Sequence, residues 1–105
     1  MKLVRSFLLS AALVLTLAPP ASAQTTVNVA MQDSVFSPAS VTIRRGTIIR
    51  WTNRGRLVHT TTSNQGLWDR TLRPGESVNR RFSSPGTFAY RCTIHRAMTG
   101  SIRVT

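Results

Sequence analysis

The chain has 105 residues, of which 14 are lysine or arginine and 3 are acidic, for a formal net charge of +11. That length holds one small domain with a modest core and leaves no room for a second. With a single cysteine the chain cannot close an internal disulfide, and so basic a balance favours anionic partners.

In chain order, the first 23 residues read as a secretory leader. Lys2 and Arg5 give a positive start, Phe7 to Leu17 (FLLSAALVLTL) carries no charge, and Ala18-Pro-Pro-Ala-Ser-Ala23 supplies small residues. Cleavage is expected before Gln24. The apolar run falls short of the roughly 20 residues that span a bilayer. Paired arginines of the twin-Arg kind are absent, so export of the unfolded chain is expected, to the periplasm or the medium. The mature domain is then residues 24–105, with twelve arginines against Asp33, Asp69 and Glu76, a balance of +9. These arginines are spread from Arg44 to Arg103 with no block of five, which reads as a generally basic surface. The exported location counts against nucleic acid as the anion.

Gly and Pro punctuate the mature chain at Pro38, Gly46, Gly55, Gly66, Pro74-Gly75, Pro85-Gly86 and Gly100. The segments between them are short, as in an all-β sandwich or barrel. Val27-Asn-Val29-Ala-Met31, Val41-Thr-Ile43 and Ile49-Arg-Trp51 alternate apolar with polar; Val78 to Phe82 and Ile102-Arg-Val104 do so less completely. No window carries a helical stripe. Seven or eight short strands are expected, with Leu57-Val-His-Thr-Thr-Thr62 as the start of one. Ser63 to Gly75 lacks strand patterning and reads as a loop carrying Trp68 and Leu72 as plugs. In Phe88-Ala-Tyr90-Arg-Cys92 the aromatics and the cysteine share one face, so Cys92 is expected to point into the core at the strand's end.

Cys92 is an intermolecular bridge, an inert buried thiol or a thiolate with a chemical task. Its neighbours bear on the choice, because His95 and Met98 follow at steps of three in a stretch that must turn between two strands. The only other histidine is His59, at the start of its own strand. If the two strand ends are neighbours, two imidazoles, a thiolate and a thioether converge. Two His and one Cys with a weak axial Met is the donor set of a blue-copper electron-transfer centre. Structural zinc uses Cys, His and carboxylate, and fits this set less well.

The stretch YRCTIHRAMTGSIRV resembles the C-terminal copper loop of the cupredoxins, in the short Cys-x-x-His-x-x-Met form of small plastocyanin- and amicyanin-like members. VFSPASVTIRRGTIIRWTNRGRLVHT is similar to their upstream pattern of aromatic-x-Pro, Gly, Trp-x-Asn and first copper histidine, and LRPGESVNRRFSSPGTFAYRC matches the remainder. The resemblance spans nearly all of Thr25 to Val104. It implies a Greek-key β-sandwich holding one copper ion near one end, on His59, Cys92, His95 and Met98. Three positions depart from the family pattern: Arg96 and Ile94 stand where Pro is common, and Thr60 stands where an Asn commonly ties the ligand loops together.

The function expected is that of a soluble, monomeric one-electron carrier outside the cytoplasm. It is not expected to be an enzyme, since no histidines remain for a second metal site. The alternative is an exported copper-delivery protein. Arg54, Arg56 and Arg96, with Arg91 beside them, form a candidate cationic collar that would steer acidic redox partners. His95 is the candidate electron exit.

Overall fold

The computed structural model describes residues 24–105, and the leader expected over residues 1–23 lies outside them. Nine strands are present among the described residues: β1 (Thr26–Met31), β2 (Phe36–Ser37), β3 (Ser40–Ile43), β4 (Thr47–Asn53), β5 (His59–Ser63), β6 (Asp69–Leu72), β7 (Ser77–Phe82), β8 (Gly86–Arg91) and β9 (Thr99–Val104). They form two sheets, in the orders β2-β1-β4-β7 and β3-β9-β8-β5-β6. The chain crosses repeatedly from one sheet to the other, and both sheets are mixed, with β1 parallel to β4 and β3 parallel to β9. This is an all-β sandwich. Among the described residues no helix is long and apolar enough to cross a membrane.

The alternation in the sequence becomes the inner face. Along β4, Thr47, Ile49, Trp51 and Asn53 are buried while Arg50 is exposed, as the period of two requires. The parallel register of β1 sets Val29 beside Trp51 and Met31 beside Asn53. Together with Phe82 of the same sheet, these meet Tyr90, Ile102 and Val104 across the sandwich in one core. Its centre is aromatic: Trp51 meets Tyr90 edge-on at 5.5 Å between ring centroids, and Phe36 meets the same tyrosine at 4.7 Å. Such pairs contribute about 0.5–1.5 kcal/mol each beyond their buried area.

Two sequence expectations are corrected. The strand count is nine, because β2 has only two residues and β6 lies inside the segment read as a loop. β6 pairs antiparallel with β5, His59 opposite Leu72 and Thr62 opposite Asp69. It sits at the edge of its sheet, where only Leu72 turns inward, so the run Asp-Arg-Thr shows no alternation to read. Strand formation there follows from the backbone of β5 and not from local preference. Leu72 is buried as a plug should be, and Trp68 is half-buried over the edge of the core.

The register also gathers one pole. The end of β4, the start of β5, the end of β8 and the start of β9 lie together there. Beyond Met31 the chain leaves β1 at the same end, which brings the β1–β2 connection over the turn between β4 and β5.

Candidate metal centre

His59 opens β5 and is fully buried. Asn53 holds it there from the end of β4. Its side-chain amide donates to the carbonyls of Leu57 (2.8 Å) and Leu72 (2.9 Å), and its Oδ1 accepts the N–H of Gly55 (2.9 Å). The turn Arg54-Gly-Arg56 is therefore cinched at its base and tied to the end of β6. Cys92 follows the last residue of β8 on the inward face shared with Tyr90, and is 1% exposed. The loop after it closes on itself, the N–H of Cys92 donating to Met98 O and that of Met98 to His95 O, both at 3.0 Å.

These elements bring three expected donors together. The ligand atoms of His59, Cys92 and His95 all lie within 4.8 Å of one another. The two Nδ1 atoms are 3.1 Å apart, and Cys92 Sγ is 4.0 Å from that of His59 and 3.8 Å from that of His95. Met98 is buried at the far end of the same loop. His95 is half-buried, more open than His59.

Burial pushes the Cys92 thiol up, but the backbone N–H groups of Thr60, His95 and Ile94 pull harder, bringing its pKa down to about 6. The Thr60 N–H donates to Sγ at 3.4 Å. A thiol so placed is largely thiolate at neutral pH, the form in which cysteine binds metals. Thr60 has a second part in the site. Its hydroxyl oxygen accepts the N–H of Thr93 (2.8 Å) and lies 3.2 Å from the Thr93 hydroxyl, tying β5 to the ligand loop. The tie that the family resemblance assigns to an Asn is thus present on a threonine.

Local sequence signals gave no hint of Asp33. Its Oδ1 lies 3.0 Å from Nε2 of His59, and it also accepts the N–H groups of Arg56 (2.8 Å) and Leu57 (3.1 Å). The bond from His59, then those from the two backbone donors, hold its carboxyl below the usual carboxylate range. Asp33 lies in a polar turn 26 residues before the histidine, with no spacing that could have linked them.

Around this centre the surface is apolar and cationic. Val35, Leu57 and Ile94 are each about half exposed, on the three connections that converge at this pole. Arg54, Arg56, Arg91 and Arg96 are exposed beside them. Arg91 and Arg96 flank one open cleft whose floor includes Cys92 and Thr93.

Two imidazole nitrogens and a depressed thiol at a pole where His59 and Cys92 are buried, with a buried thioether on the same loop, suit copper better than zinc. A profile of the cupredoxin-like domain matches residues 5–104. The chain belongs to the cupredoxin-like family. It is 31% identical over 84 residues to a plastocyanin of Scenedesmus fuscus, covering 67% of this chain and 86% of that one. It is also 31% identical over 75 residues to amicyanin-alpha of Methylorubrum extorquens, covering 66% of this chain and 63% of that one. A purple cupredoxin from Nitrosopumilus maritimus shares the fold with a TM-score of 0.69 at 22% identity, over 75% of this chain and 99% of that one. As a cupredoxin, this protein takes copper as its cofactor, and its donor set fits that ion.

Proposed function

We propose that this cupredoxin is an exported one-electron carrier whose copper is held by His59, Cys92, His95 and Met98. The observation that carries the reading is the convergence of two imidazole Nδ1 atoms and the Cys92 sulfur within 4.8 Å at one buried pole. When bound there, copper supplies a Cu(I)/Cu(II) couple whose soft and borderline donors serve both oxidation states. The chain's own residues do the rest. His59 and Cys92 keep water out, Thr60 and Asn53 fix the two ligand-bearing segments, and His95 offers a half-open ring edge to a partner.

The apolar rim of Val35, Leu57 and Ile94 suits brief docking at this edge. Arg54, Arg56, Arg91 and Arg96 would draw an acidic redox protein towards it and set its orientation. Both histidines of the sequence belong to this one centre and none remains for a second metal site, which favours a carrier over an enzyme. The alternative of copper delivery is disfavoured by the enclosure of the thiol and by a ligand loop that is hydrogen-bonded to itself.

The test uses residues 24–105 loaded with Cu(II). An intense thiolate-to-copper visible band is expected, and Cys92→Ser should abolish it. A colourless protein that takes zinc equally well would sink the blue-copper assignment. Rapid surrender of copper to a chelator, together with sluggish redox cycling, would put delivery ahead of electron transfer.

A further inference from the structure

His59 is fully buried, so the ring nitrogen that faces away from Cys92 needs a partner. A buried N–H without one loses its bond to water and gains nothing in return. Asp33 supplies it, with Oδ1 3.0 Å from Nε2. The direction of this bond follows from the acceptor: an ionised carboxylate cannot donate, so Nε2 carries the hydrogen. Nδ1 is then the nitrogen with a free lone pair, and it is Nδ1 that lies beside Cys92 Sγ and His95 Nδ1.

The same carboxylate oxygen accepts the N–H groups of Arg56 and Leu57, the residues that lead into His59. One atom therefore orients the ring and anchors the backbone that delivers it. The neighbouring sequence makes room for this. A Cβ at Gly55 would collide with Asp33 Oδ1 and would stand 3.1 Å from His59 Nε2, so a side chain at position 55 would displace the carboxylate. The Asp33 side chain is 41% exposed, while the ring it contacts is sealed.

We propose that Asp33 is a positioning residue for the metal centre, fixing His59 in the tautomer that presents Nδ1 and tuning the reduction potential through its negative charge. The inference rests on His59 being a copper ligand. A carboxylate on the outer nitrogen makes an imidazole a stronger donor, which favours the more highly charged oxidation state and lowers the potential.

Wild type, Asp33→Asn and Asp33→Ala, each over residues 24–105, separate the possibilities. Asp33→Asn keeps an oxygen for Nε2–H but removes the charge. It should retain the visible band and raise the reduction potential. Asp33→Ala removes both, and should lose copper to a chelator about 10- to 100-fold more readily with altered copper hyperfine splitting. In the metal-free proteins, imidazole nitrogen NMR should find His59 protonated at Nε2 in wild type and at both tautomers in the alanine variant. This last readout does not depend on copper, so a wild type that never turns blue refutes the copper assignment without touching the tautomer result. Unchanged potentials in both variants, or an unchanged tautomer in Asp33→Ala, would overturn the proposal. A lowered unfolding temperature as the sole effect would also overturn it, reducing Asp33 to a loop anchor.

Discussion

Asn53 uses three of its four amide hydrogen-bonding capacities at a point where little else could serve. It must donate to two carbonyls and accept one N–H, with its side chain 1% exposed. Asn53→Ala leaves those groups without partners, and we expect a loss of about 1–3 kcal/mol in urea unfolding, with weakened copper retention because the turn before His59 loosens. Asn53→Asp should be worse, since a carboxylate would face the carbonyls of Leu57 and Leu72 with no hydrogen to offer. Tyr90, the one tyrosine of the chain, gives a clean spectroscopic handle. Burial raises its pKa to about 12, with Trp51 opposing weakly. A pKa raised in the fold means that its stabilising share is complete below the unfolded value near 10 and is lost as pH climbs towards 12. An ultraviolet pH titration should show the phenolate late, near pH 12 or together with unfolding. A normal titration near 10 in the folded protein would contradict the observed burial.

β5 shows why some elements were legible and others were not. All five of its residues, His-Thr-Thr-Thr-Ser, are buried, although none is an aliphatic hydrophobe. Its hydroxyls are satisfied laterally: Thr60 with Thr62 and Thr93, Thr61 with the Trp68 indole N–H, Thr62 with Asp69. β-Branched composition announced this strand, but its depth could only come from neighbours on both sides. For β6 the signal was missing altogether, because an edge strand with one inward residue has no period. By contrast, β1, β4 and β8 were readable from alternation, and alternation alone put Cys92 on the inner face. The Cys-x-x-His-x-x-Met spacing and the lone upstream histidine pointed to the proposed donor set, whereas Asp33 and Thr93 reach that pole through long-range contacts that leave no local trace. Thr60 is the hinge between these cases, visible as a departure from family pattern and explained only by its bond to Thr93. Thr60→Val keeps the shape and removes the acceptor, so we expect a loss of about 1 kcal/mol and faster amide exchange at Thr93.

Over the molecule as a whole, the charges are arranged so that attraction between them plays little part. Each carboxylate is turned to its own fold: Asp33 to His59 and two backbone N–H groups, Asp69 to the Thr62 hydroxyl, Glu76 to the Arg73 N–H. Among the described residues the one contact of a carboxylate with a basic side chain is that of Asp33 with His59, so no arginine is neutralised by a carboxylate. Arg80 is the one that turns partly inward, lying over the rings of Trp68 and Phe82 at 4.8 and 4.6 Å, where desolvation lowers its pKa. Reversing charge at Arg54, Arg56 and Arg96 together should slow electron transfer with an acidic partner protein and flatten its dependence on salt. Stopped-flow rates across a range of ionic strengths would show this, and rates that ignore salt in the unmodified protein would remove steering from the picture.

The excess of twelve arginines over three acidic residues in residues 24–105 has a consequence for encounters between two identical molecules. Each presents a net positive surface to the other, and the half-buried His95 lies within it. Homotypic electron exchange should therefore be slow in dilute buffer and quicken as salt is added, while exchange with acidic proteins runs the opposite way. With acidic partners, ionic strength would then work as a selector, directing electrons outward to foreign proteins in dilute media and sideways between copies in concentrated ones.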